Sequence, residues 1–430
     1  MIRQFSVAAL LVAFGSSALA QSVSEVVQTT LRTNPDILAS KYNVDAAEEL
    51  RKQARGAYFP SIDLVIAGGR ESSNNTTTRA LGVDELRLTR KEKSLKVTQL
   101  LYDGFSTASF VRQQSALVDS AVARLVSSQE SISLRAIQVY LEQLRREAVV
   151  ELARENLDHH DKTLSKIQER FENGVGTKVD VVQTQGRRAQ SKGNVLLSER
   201  DVKNGEAEFY RVVGEYPKNL VSPPPVTGLP ETLEQAIEIA MRNNPGLLAA
   251  EADLEAAIAA REQARSTYHP RFDLEVGATR NDDTDGSVGA NDDETAVIRM
   301  TYNLFRGGAD KARRNETEAR EFAARETARS IRRAVQEDVT LVWNELQDVL
   351  MRLEYLEAHV KSTEEVLVVY NEQLSLGKRT LLDLLDIQNE VLRSKIALIT
   401  GESTAALARY RVLASTGRLL ETMGIAGEGR

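Results

Sequence analysis

Stretches of alternating apolar and polar residues interrupt long proline-free stretches along this chain. A period of two runs through Ile62, Leu64 and Ile66 and returns through Leu95, Val97, Gln99 and Leu101. It reappears in Phe272, Leu274, Val276 and Ala278, and again in Ala296, Ile298, Met300, Tyr302 and Leu304. This predicts four strands with one apolar face, near the ~9–11 residues a membrane strand needs; a soluble hairpin lying on a core has the same pattern. Two long stretches contain no proline, Phe105 to Phe171, which also lacks glycine, and Ala309 to Leu376. Each predicts a helix of about 67 residues, ~100 Å long at ~1.5 Å per residue. Helices of that length belong to coiled-coil-like assemblies.

The punctuation between these elements occurs twice. Asn34-Pro35 and Asn244-Pro245 are an N-cap followed by a first-turn proline, and each predicts a helix of about 24 residues that Pro60 or Pro270 stops. Polar stretches from Glu71 to Lys93 and from Asn281 to Glu294 are expected loops between paired strands. The acidic residues Asp282, Asp283, Asp285, Asp292 and Asp293 have the makeup of a cation site or, more simply, of a solvated loop. After each long helix, Gly174 or Gly377 suits a left-handed C-terminal position, and Thr177-x-x-Asp180 or Thr380-x-x-Asp383 restarts a helix as a capping box. Each half of the chain is therefore expected to end in a long helical hairpin.

The two halves are copies. Asn34 to Leu64 aligns without a gap on Asn244 to Leu274, with 14 of 31 positions identical. Further on, Leu101-Tyr102-Asp103-Gly104 matches Leu304-Phe305-Arg306-Gly307, and Val139-Tyr140 matches Val342-Trp343. The organisation read from this is a first repeat at 21–216, a proline-rich linker at 217–230 carrying Pro223-Pro224-Pro225, a second repeat at 231–420 and a tail at 421–430.

Composition narrows the setting. Arg3, the apolar run Val7 to Phe14 and Ala18-Leu19-Ala20 read as a secretory signal over residues 1–20, with Gln21 opening the mature chain. The sequence has no cysteine, which excludes disulfides, thiolate chemistry and a lipidated N-terminal cysteine. A net charge of −7 argues against a nucleic-acid partner. No apolar run in the mature chain reaches the ~18 residues of a spanning helix, which leaves a β-barrel open. No catalytic triad, phosphate loop or zinc cluster is recognisable, so neither an enzyme nor a cofactor is expected. His159-His160 reads as a solvated pair, since adjacent residues point apart on a helix, and Trp343 reads as hairpin packing.

Four strands cannot close a barrel, and an open sheet edge in lipid leaves unpaired backbone groups. Three chains would supply twelve strands and six helical hairpins. With the repeated Asn-Pro starts, Tyr-x-Pro stops, Leu-Tyr/Phe-x-Gly joints and Gly…Thr-x-x-Asp tips, the chain resembles the TolC family of outer-membrane efflux proteins from about Val23 to Leu420. The resemblance implies a mainly α fold with a β-barrel part: a trimeric 12-strand outer-membrane barrel continuous with a helical periplasmic tunnel. It further implies a homotrimer in outer-membrane lipid, a periplasmic membrane-fusion adaptor protein, and an inner-membrane ABC or proton-driven transporter as pump. Such a duct would passively conduct secreted protein or small toxic molecules, and the missing lipidation site leans toward type I protein secretion. The family's tip gate maps onto Asp180 and Arg379, with Asp383 and Asp386 as its inner acids. Gly174, Thr177, Gly377 and Thr380 are then tip residues in reach of the adaptor. The family's gating tyrosine is replaced by Leu374, which would remove one hydrogen bond. The rival reading is a periplasmic coiled-coil adaptor or scaffold, although an adaptor usually carries a single hairpin between small β domains.

Overall fold

The computed structural model describes residues 20–425. The expected signal segment, Ala20 apart, and residues 426–430 of the tail lie outside the described residues.

Each repeat opens with two helices, where the sequence reading had one. α1 (Val23–Thr33) and α6 (Leu233–Asn243) precede the expected α2 (Pro35–Gly56) and α7 (Pro245–Arg265). Asn34 and Asn244 each end one helix and cap the next, because the first-turn proline needs no N–H partner there. α1 has its own capping box, Ser22 with Glu25.

Strands β1 (Ser61–Ser73) and β2 (Leu86–Tyr102) are joined across a short helix, α3 (Thr76–Ala80); β3 (Arg271–Asp282) and β4 (Ala290–Thr301) form the second hairpin. Both loops are shorter than expected. The strands continue through Glu71 and Lys93 on one hairpin and to Asp282 and Ala290 on the other. Alternation of apolar and polar residues marks a strand only where one face leaves water, so the polar outer ends carried no such mark.

All four strands form one antiparallel sheet in the order β1-β2-β3-β4, which leaves β1 and β4 as long edges. The register assigns each face. Ile62, Val97, Val276 and Ala296 lie side by side, as do Leu274 with Ile298 and Phe272 with Met300. The opposite face carries Asp63 beside Lys96, Thr98 beside Glu275 and Asp273 beside Arg299. On that face the Arg299 guanidinium donates to both Glu275 oxygens at 2.9 Å, and Lys96 lies 3.2 Å from the same carboxylate. One face is apolar and exposed, the other charged and internally paired. This is the reverse of a soluble sheet whose apolar face covers a core.

The strands run directly into two long helices, α4 (Ser106–Glu172) and α8 (Ala309–Ser375), each followed by a returning helix, α5 (Lys178–Val213) and α9 (Leu381–Ser415). At the first joint Gly104 has φ +66°, and a Cβ there would lie 2.6 Å from the His269 Cβ, so only glycine fits. Asp103 accepts from the Thr107 N–H at 2.8 Å, satisfying a donor at the start of α4.

The main core lies about halfway down α4. Ala136, Ile137, Tyr140 and Leu141 pack there against Val26 and Val27 of α1, Phe209 and Val213 of α5, Tyr410 and Leu413 of α9, and Leu419 of α10 (Leu419–Thr422). The Tyr140 hydroxyl is 2.9 Å from the Gln21 carbonyl oxygen and 2.5 Å from that of Val221, and accepts from the Val221 N–H at 3.1 Å. It ties the start of the described chain to the extended segment between the repeats. Trp343, its counterpart, packs between Val339 of α8 and Val412 of α9 with their neighbours. Among the described residues no helix is long and apolar enough to cross a membrane.

Candidate functional site

The two hairpin tips are built alike. In the first, Gly174 (φ +76°) donates to the Phe171 carbonyl and Val175 to that of Arg170; in the second, Gly377 (φ +71°) donates to Leu374 and Lys378 to Gln373. Both are Schellman endings, in which a left-handed residue lets two late N–H groups satisfy the last free carbonyls of the helix. The chain then restarts through complete capping boxes. Thr177 accepts from the Asp180 N–H while the Asp180 carboxylate accepts from the Thr177 N–H, and Thr380 and Asp383 repeat the exchange. The Thr380 hydroxyl and N–H hold the Asp383 carboxyl below the usual carboxylate range, assisted by nearby Arg379. Five residues make each reversal.

The four gate candidates fall on these tips, and the structure joins them in an unexpected pattern. Asp180 and Arg379 form no ion pair with each other inside one protomer. Asp180 is engaged by Thr177. Arg379 donates to the Gln373 side chain at 3.1 Å and lies 4.0 Å from Asp383. Its guanidinium stacks 4.4 Å above the Tyr370 ring. Tyr370 stands one helical turn before Leu374, so this tip does hold an arginine against a tyrosine, from a neighbouring turn of the same face.

Asp386 has a partner that sequence reasoning missed. Arg187 of α5 donates to it at 2.8 Å, joining the first hairpin to the second. The available signal was the spacing: Arg187 follows Asp180 by seven residues and so shares its face of α5. Below this link Ile167 of α4, Val181 of α5, and Leu381 and Leu385 of α9 form a small apolar core. Farther from the tip the seam turns polar, with Asn156 donating to Ser191 at 3.0 Å and Gln388 to Thr163 at 3.4 Å. Asp383 and Asp386 also line, with Tyr370, Glu390 and His359, an open groove of about 420 Å³ between α8 and α9. The tip thus presents an acidic groove one of whose carboxylates, Asp386, is shared with an arginine of the other hairpin.

His160 departs from expectation. It is not solvated: it is 1% exposed on the packed face of α4, seven residues before Ile167, while His159 faces outward. A heptad step keeps His160 on the seam that Ile167 occupies, and adjacency sends only His159 to water. At the other end of the molecule, Asp283 accepts from the Gly289 N–H and Asp285 lies 3.1 Å from Arg90. Among the described residues no group of three or more metal-ligating side chains converges.

Comparison with known proteins addresses the family and the fold. The model of the outer membrane efflux protein family matches residues 26–215 and 236–418, one segment in each repeat. The outer membrane efflux protein BepC of Brucella suis is 24% identical over 410 residues, covering 94% of this chain and 87% of that protein. The alkaline protease secretion protein AprF of Pseudomonas aeruginosa is 22% identical, covering 98% and 88%. Among solved structures, the outer-membrane channel OprN superposes with a TM-score of 0.79 at 18% identity over 92% of this chain and 90% of that one.

Proposed function

The chain belongs to the outer membrane efflux protein family, and from that premise we propose that three copies of it close a twelve-stranded barrel and a helical tunnel gated at the hairpin tips. The protein is an outer-membrane exit duct with its helical part in the periplasm. The adaptor reading is set aside, because the family match spans both repeats.

The observation that carries the closed assembly is the sheet: four strands, one apolar face, one charged face and two unpaired edges. In hydrocarbon those edges must pair, and β4 of one protomer meeting β1 of the next is the pairing that repeats the β2–β3 contact. The helices support the same closure. α4 is packed by α7 and α9 of the second repeat, so α8 is left to receive α2 and α5 of the next protomer. We read 21–216 and 231–420 as the two repeats and 217–230 as the strap between them.

Transport is passive and the duct is not an enzyme. A periplasmic adaptor engages the tips around Gly174, Thr177, Gly377 and Thr380, and an inner-membrane ABC or proton-driven transporter supplies the energy. Names of relatives point both to efflux and to protease secretion, in keeping with a cargo chosen by the pump. In the gate, Arg379 braced on Tyr370 and Arg187 bound to Asp386 hold the hairpins, while Asp180, Asp383 and Asp386 set a negative entrance. Mature protein should fractionate with outer membranes, resist carbonate extraction and give small, cation-selective conductance in planar bilayers. Extraction by carbonate together with absent conductance would refute the duct.

A further inference from the structure

We propose that His160 makes the periplasmic tip acid-responsive: protonation of this buried imidazole parts the first hairpin from the second and opens the duct. The inference rests on the gate described above and adds a control that the gate residues do not supply.

His160 is 1% exposed, and its Nδ1 has no hydrogen-bond partner. It belongs to the seam where α4 meets α5 and α9, between the Asn156–Ser191 and Thr163–Gln388 contacts. The Gln388 Oε1 in that seam is likewise unpartnered. A neutral imidazole is tolerated there, whereas an imidazolium needs two acceptors or water.

The charges around it do not provide a counter-ion. From α5 come Arg187, committed to Asp386, and Arg188, committed to Asp161. From α9 come Asp386, already shared, and Glu390, exposed on the groove side. On α4 itself His159 points outward and Asp161 is paired with Arg188. Burial, then Arg187 and His159, push the imidazole below its ordinary range, against a smaller opposing effect of Asp161.

The sign follows by linkage. In the closed seam His160 holds its proton weakly; in an opened, hydrated seam it returns to about 6.5. The open state therefore binds more protons, and acid favours it. Above about pH 6.5 both states are neutral and the seam is indifferent to pH. Below it the open fraction grows by up to about tenfold per pH unit per histidine, until the closed state also protonates. Any threefold assembly presents three such histidines, so the response steepens.

The test is open probability of the purified full-length protein in planar bilayers between pH 7.5 and 5.5, a window above the ordinary carboxylate range. Wild type and His159→Gln should open at least several-fold more often at pH 5.5, and His160→Gln should not respond. If His160→Gln does not assemble, His160→Leu replaces it. A Thr163→Cys/Gln388→Cys staple across the seam, in a chain with no other cysteine, should abolish the acid response when oxidised and restore it on reduction. A conducting wild type indifferent to pH, or a response that survives in His160→Gln, overturns the switch and leaves the duct standing. A protein that never conducts overturns the duct and the switch with it.

Discussion

α4 and α8 are each 67 residues long and occupy the same place in their repeats, yet 22 residues of α4 are buried and only 7 of α8. α4 is wrapped by α2, α5, α7 and α9 of its own chain, whereas α8 meets α6, α7 and α9. Several apolar residues are left bare on α8, among them Phe322, Met351 and Val368, and three of them, Leu341, Tyr355 (75% exposed) and Val369, recur fourteen residues apart. Two heptads is the spacing that keeps one coiled-coil seam aligned. An isolated protomer has no use for such a stripe in water. In the proposed assembly the difference teaches that one duplicated unit would meet two kinds of partner, its sister repeat for α4 and another copy of the chain for α8. The sheet says the same, since β2 and β3 pair within the chain and β1 and β4 have free edges.

The comparison breaks most visibly if the bare stripe is spoiled. Leu341→Glu with Tyr355→Glu should leave the protomer folded by circular dichroism but shift it from trimer to monomer in detergent. The buried counterpart behaves differently. Tyr140→Ala removes a fully buried ring with three polar contacts and should cost about 4 kcal/mol in urea unfolding. Trp343→Ala, at the half-buried matching position, should cost roughly half as much. At the tips the effects are functional. Arg187→Ala should raise conductance a few-fold and increase cation selectivity, since Asp386 loses its partner. Arg379→Ala should raise conductance by a similar factor with less change in selectivity, because Arg379 braces on an aromatic ring and a glutamine. Thr177→Ala removes one N-cap and should cost only about 1 kcal/mol, seen as faster amide exchange confined to the first turn of α5.

The long helices, their Gly-centred turns and the four strands were legible because each is written in periodicity or in residues with a fixed conformational role, such as Asn34-Pro35 and Gly377. The short helix α1 went unread although Ser22 and Glu25 spell its capping box, because it abuts the expected cleavage point. The outer ends of the strands were illegible since both of their faces meet water. Arg187 and Tyr370 were missed for another reason. Their roles depend on which turn of one helix faces which turn of another, and spacing along one chain does not specify that pairing. His160 was misread because the neighbour rule for a helix tells which of two adjacent residues is buried only once the seam is known.

The most direct test of the central claim, that the bare surface of α8 and the edges of the sheet are completed by further copies, is the mass of the detergent-solubilised mature protein, with conductance recorded on the same sample. The account predicts a trimer with a small, cation-selective and mostly closed conductance. A monomer that stays soluble without detergent and carries no current would contradict it.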